Sequence, residues 1–181
     1  MESEYVEKVW INPRHPKRIY TAKWIIEIPP GEPYVIVRPR SDRGATPHNL
    51  LVYATIDALR DDIDGYRADS VHYPGLKELN ISLLVGKHRI DLITSHNGEL
   101  RYWEIKTPRE IGEDRTWEQI RDYAEHLREV NLVTTEDAVE NAREIIKTLG
   151  LTDKVKLWVV KPHLGGPNEK SELIYIPIDK E

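Results

Sequence analysis

Hydrophobic positions change their period several times along the chain, and each change marks an element. Tyr5 to Ile11 alternates apolar and polar side chains until Asn12-Pro13-Arg14-His15-Pro16 interrupts it. Ile19 to Ile28 and Tyr34 to Val37 are further β-rich runs, separated by Pro29-Pro30-Gly31, and Arg38 to Gly44 reads as a polar loop. Thr46-Pro47 then supplies a helix cap and a first-turn proline, and Val52, Ile56, Leu59 and Ile63 recur every three or four residues. Asp61, Asp62, Asp64 and Gly65 end that helix. Ile81 to Val85, His88 to Thr94 and Leu100 to Lys106 follow as strands, joined by Gly86-Lys87 and by Ser95-His96-Asn97-Gly98. Such short turns predict an antiparallel meander, stopped by Pro108.

Two helices come next. Asp114 to Glu129 carries Trp117, Ile120, Tyr123, Ala124 and Leu127 on one side; Thr135 to Leu149, capped by Thr135, carries Ala138, Ala142, Ile145, Ile146 and Leu149, with Gly150 as its stop. Val155 to Val160 is apolar enough for a central strand, and Leu173 to Ile178 is the last one, beyond the loop Pro162 to Asn168. The expectation is an α/β fold, a central mixed sheet flanked by helices.

Composition narrows the class. A chain of 181 residues with 39% hydrophobic and 31% charged residues suits one globular domain. No apolar run nears the roughly 18 residues that span a bilayer, and Met1-Glu2-Ser3-Glu4 has no signal-peptide character, so a cytoplasmic location is expected. Lacking cysteine, the chain has no disulfides, thiol catalysis or thiolate zinc sites. The net charge of −5 is unevenly spread. Arg14, Lys17, Arg18, Lys23, Arg38, Arg40 and Arg43 crowd one segment, whereas Glu110 to Glu144 is strongly acidic, which suits a polyanion touching one side. Trp10, Tyr20 and Trp24 lie among those cations as stacking rings or as core.

The chemistry concentrates in the meander. Glu104 and Lys106 stand two apart on one strand and leave the same face, while Trp103 and Ile105 leave the other. Asp91, between Ile90 and Leu92, comes beside Glu104 once the hairpin closes. Two neighbouring buried carboxylates need a cation between them, and Mg²⁺ is the natural one, with Mn²⁺ as substitute. Lys106 can orient or deprotonate a metal-bound water, or stabilise a phosphoryl transition state. Glu-x-Lys by itself is also a common surface ion pair. The seven histidines show no metal-ligand spacing.

The stretches Gly86-Lys87-His88-Arg89-Ile90-Asp91-Leu92-Ile93 and Tyr102-Trp103-Glu104-Ile105-Lys106-Thr107 resemble the active-site hairpin of the PD-(D/E)XK nuclease superfamily. The resemblance implies a restriction endonuclease-like core over 47–160 (helix, three strands, helix, strand, with one helix added), a β-rich extension over 1–45 and a C-terminal loop and strand over 161–181. It implies a metal-dependent deoxyribonuclease, endo- or exonucleolytic, acting on DNA as a homodimer. Asp91, Glu104 and the Ile105 carbonyl would hold the metal, and Lys106 would be the catalytic lysine. Gln119 and Tyr123, four apart, match a Gln–Tyr pair that many members carry on the second core helix. Many members add an acid from the first helix; the expected glutamate is missing, leaving Asp57 or Asp61. His88 and the N-terminal cations are candidates for touching DNA. The competing readings are a nuclease-fold protein that binds DNA without cutting, and a structural subunit with no nucleic-acid partner.

Overall fold

The computed structural model describes residues 47–69, 71–163 and 170–179, together with the backbone of four strands nearer the N-terminus. Those four, Val9–Asn12 (β1), His15–Tyr20 (β2), Trp24–Ile28 (β3) and Ile36–Pro39 (β4), form an antiparallel sheet in sequence order. The run expected over 19–28 is therefore the facing ends of two strands, and the strand holding His15 and Pro16 was expected to be a break.

The rest of the chain builds a six-stranded mixed sheet. Helix α1 (Pro47–Leu59) leads into Gly65–Ala68 (β5), and a two-residue-by-two-residue hairpin follows, Leu84–Val85 (β6) with His88–Arg89 (β7). Leu92–His96 (β8) and Glu99–Ile105 (β9) come next, then the single-turn α2 (Pro108–Ile111) and α3 (Asp114–His126). Val130–Thr134 (β10), α4 (Val139–Thr148), Val155–Lys161 (β11) and Glu172–Ile176 (β12) complete it. The sheet order is β12-β11-β10-β9-β8-β5, with β9, β10 and β11 mutually parallel and the outer pairings antiparallel.

Several expectations are corrected here. The meander opens with Gly65–Ala68 rather than Ile81 to Val85, which belongs to the small hairpin. The strand expected over His88 to Thr94 is broken at Ile90-Asp91, because Ile90 N–H donates to Leu83 of the hairpin while Asp91 turns its carboxylate onto β9. Between the two long helices lies a central strand, β10, that the helical pattern had hidden. α3 stops at His126, three residues before the expected end at Glu129. Thr135 does not cap α4; its hydroxyl bonds Asp137, and a 3₁₀ turn over Glu136–Ala138 precedes the helix.

All five residues of β10 are buried. Burying Val130, Leu132 and Val133 contributes roughly 1.5–3 kcal/mol each. Its one amide side chain, Asn131, is satisfied on both ends, donating to the Tyr102 carbonyl and accepting from Trp158 Nε1. Side chains alternate between two cores. Ile93, Leu132 and Leu157 pack with Trp117, Ile120 and Tyr123 of α3 and Ala142 and Ile146 of α4; Leu92, Trp103, Ile105 and Val133 pack with Val52 and Ile56 of α1. Helices thus cover both faces of the sheet. Among the described residues, no helix is long and apolar enough to cross a membrane.

Candidate functional site

The pairing of β8 with β9 places the first acid beside the second. Leu92 stands opposite Trp103, so one step further along the ladder sets Asp91 opposite Glu104. There the side chains take over from the backbone: Asp91 N–H donates to Glu104 Oε1 at 3.2 Å, and Ile105 N–H donates to Asp91 Oδ2 at 2.8 Å. A strand residue's N–H and C=O leave the same edge, so the Ile105 carbonyl also lies on Asp91's side. Trp103 and Ile105 point into the α1 core, and the alternate residues, Glu104 and Lys106, point toward α3. Lys106 Nζ is 3.1 Å from Glu104 Oε2 and donates to Gln119 Oε1 at 3.0 Å. Glu104 is 2% exposed and Lys106 7%, so this is a buried cluster, not the surface ion pair that Glu-x-Lys usually makes.

The first turn of α1 brings in His48, which sequence reasoning missed. Its Nε2 is 3.3 Å from Asp91 Oδ1 and its Nδ1 is 3.3 Å from Glu110 Oε1. Glu110 is held by a capping box on α2: Thr107 N–H donates to Glu110 Oε1, and Glu110 N–H to Thr107 Oγ1. Thr107-Pro108-Arg109-Glu110 carries that motif in plain sight. His48 follows a Thr-Pro helix start, but nothing in the linear sequence tied it to Asp91. A cleft of about 380 Å³, lined by Pro47, His48, Thr107, Pro108, Arg109, Glu110 and Glu113, opens beside the pair. A larger one, about 630 Å³, lies between the end of α1 and β12, away from these residues.

Electrostatics follow from the packing. Burial and the neighbouring Asp91 charge raise the Glu104 carboxyl well above its ordinary range, against the pull of Lys106. Burial opposes the Lys106 charge, but Glu104 and Asp91 outweigh it and keep the ammonium more basic than usual. Burial likewise opposes a charged His48, yet its hydrogen bonds to Asp91 and Glu110 raise it to about 10. Glu110 would be raised by burial, but His48 and the Thr107 N–H bring it down to about 2.

The other expected residues fall elsewhere. Asp57 lies nine residues beyond His48, about 13 Å along the helix. Its carboxylate is fully engaged: Arg60 Nη1 and Tyr73 Oη donate to Oδ1, both at 2.6 Å, and Ser171 N–H to Oδ2 at 2.8 Å. Asp57 pins α1 to the start of β12 and is no neighbour of Asp91. Asp61 is exposed and pairs with Lys170 at 3.1 Å. Neither carboxylate reaches the Asp91–Glu104 cluster in its present contacts. Tyr123, fully buried, donates its hydroxyl to the Arg89 carbonyl at 2.8 Å, tying α3 to the small hairpin instead of joining Gln119 at the cluster. His88 turns to Asp122, 2.8 Å away. Of the N-terminal cations, Arg14, Lys23, Arg40 and Arg43 lie outside the described residues, as do the side chains of Lys17, Arg18 and Arg38.

Comparison with protein-family models, curated proteins and solved structures gives no match.

The donors at this site fit a divalent cation. Asp91 and Glu104 offer carboxylate oxygens, Ile105 a carbonyl and His48 a ring nitrogen, a mixed oxygen–nitrogen set gathered at the ends of two paired strands. The Glu110–His48–Asp91 chain is the form in which a carboxylate fixes the orientation of a ligating imidazole.

Proposed function

We propose that this chain is a divalent-metal-dependent nuclease that hydrolyses DNA phosphodiester bonds. One observation carries the reading: a carboxylate 2% exposed, Glu104, stands between Asp91 and a buried lysine at the end of two paired strands. A merely structural acid in that place would be costly, and a site built to hold charge explains it. The order α1, β5, β8, β9, α3, β10 supports the resemblance to the PD-(D/E)XK nucleases, whose core runs helix, three strands, helix, strand. In that alignment the core closes at Thr134, and α4, β11 and β12 are additions, whereas the sequence had suggested a core extending to Val160.

Asp91, Glu104, the Ile105 carbonyl and His48 would hold the ion. Bound there, a divalent ion supplies an acidified water and neutralises charge on the phosphate. His48 takes the place of the missing first-helix acid. Its nitrogen shifts the expected preference from Mg²⁺ toward Mn²⁺, which accepts imidazole more readily than Mg²⁺ does. Lys106, kept protonated by its two acidic neighbours, presents an ammonium to negative charge on the reacting phosphate, and Gln119 holds that ammonium in position. Of the roles open to Lys106 from sequence, charge stabilisation is thus favoured over water deprotonation. Glu110 orients the imidazole of His48. Cutting both strands of a duplex calls for two such sites, so a two-fold dimer belongs to the proposal.

Calorimetric titration with Mn²⁺ tests the site itself. One binding event per site is expected, weakened by at least about tenfold in His48→Ala, as loss of an orienting or ligating group does, and lost in Asp91→Ala. Binding indifferent to both substitutions would sink the assignment.

A further inference from the structure

The turn of the small hairpin rests on the last turn of α3, and side chains of metal-ligand type gather there, outside the cluster described above. Asp122, Glu125 and His126 each offer one donor atom, all within 4.8 Å of one another. His88, from β7, reaches the same carboxylate: its Nδ1 is 2.8 Å from Asp122 Oδ2, and His126 Nδ1 is 3.5 Å from Asp122 Oδ1. The backbone allows this because position 86 has no side chain. A Cβ on Gly86 would stand 2.6 Å from Asp122 Oδ1 and 2.8 Å from His126 Cε1, at a φ of +60° that favours glycine. No spacing rule finds the group, since residues 88 and 126 are joined only by the fold.

We propose that His88, Asp122, Glu125 and His126 form a second, structural metal site for Zn²⁺ or a similar borderline divalent ion. Two imidazoles and two carboxylates from two elements make a nitrogen–oxygen donor set of the kind Zn²⁺ takes, whereas an ion such as Mg²⁺ prefers oxygen alone. Tetrahedral ligands bound at about 2.0–2.2 Å stand roughly 3.3–3.6 Å apart; the 3.5 Å between His126 and Asp122 falls in that range, and the 2.8 Å between His88 and Asp122 widens on binding. The ion would take the place of the direct contact between His88 and Asp122. His126 is the last residue of α3, where the helix dipole favours a positive charge. The consequence is mechanical. Asp122 already accepts the Lys87 N–H and Tyr123 donates to the Arg89 carbonyl, so the ion completes a clamp on the segment that ends two residues before Asp91.

The test uses the full chain carrying Asp91→Asn and Glu104→Gln, so that the first site is disabled whatever its function. Zn²⁺ is titrated by calorimetry, and Co²⁺ by its visible absorption. One equivalent per chain is expected, with intense tetrahedral Co²⁺ bands and a Zn²⁺-dependent rise in Tm. Adding His88→Gln and His126→Gln should weaken Zn²⁺ by more than about a hundredfold, beyond the effect of losing an outer-shell partner, without altering the circular dichroism of the metal-free chain. Both histidines are partly exposed, so the fold should tolerate their replacement. Absence of Zn²⁺ binding, or binding untouched by the two histidine substitutions, overturns the proposal.

Discussion

Glu104 is held where its ionised form costs stability. Its folded carboxyl titrates above its ordinary value, so at neutral pH the ionised group opposes folding, and the opposition fades as pH falls and the carboxyl takes a proton. Glu104→Gln imitates the protonated acid. In chelator at pH 8 this variant should melt higher than the parent, by a margin that shrinks toward pH 4, while metal binding is lost; a lower Tm at pH 8 contradicts the account. His48 and Glu110 behave in the opposite sense. His48 titrates near 10 when folded against an ordinary 6.5, so its contribution is fully present below about pH 6.5 and is lost as pH rises through 10. Glu110, near 2 against 4.5, contributes above pH 4.5 and fails only as pH falls through 2. Melting of the metal-free chain between pH 6 and 10 should therefore show an alkaline decline that His48→Gln flattens; an identical decline in the variant would show that His48 is not the group. At this scale Asp91, Glu104 and Lys106 were legible because strand alternation and hairpin pairing fix which side chains share a face, and Gln119 was singled out only through the resemblance. His48 was not, because its partners lie 43 and 62 residues away and only packing of α1 against the strand ends unites them.

Elements were legible where periodicity was long and illegible where burial was complete. α1, α3, β9 and β11 follow from their patterns. β10 did not, since a five-residue strand buried on both faces has no alternation to read, and it fills the short gap between the two expected helices. β5 is four residues with a glycine and an arginine, and its glycine looked only like a helix stop. Yet β10 sets the register of the site: Leu132 stands opposite Glu104, and Lys106 N–H donates to the Val133 carbonyl. Leu132→Ala should cost about 2–5 kcal/mol in denaturant unfolding, the range for buried leucine truncation. A loss below about 1 kcal/mol would mean that β10 does not hold the centre of the sheet.

For the molecule as a whole, the mixed sheet with helices on both faces follows the expected class, but its construction differs from the linear reading. The small hairpin interrupts the expected meander, so its strands are β5, β8 and β9, and three parallel strands rather than one form the middle. That change brings the first-helix N-terminus, the start of β8, the end of β9 and the start of α2 to one place, which explains how His48 and Glu110 join residues recognised from the strands alone. In the proposed function, the acidic net charge and the N-terminal cations would bear on which polyanion is admitted, and the buried cluster on whether it is cut. The most direct measurement is cleavage. Supercoiled, linear, single-stranded, flap and junction DNA are incubated with the chain in Mn²⁺, in Mg²⁺ and in chelator, beside Glu104→Gln and Lys106→Ala. The account predicts cleavage of at least one substrate with metal only, faster in Mn²⁺ and lost in both variants. Intact DNA throughout, or cleavage that persists in Glu104→Gln, would contradict it.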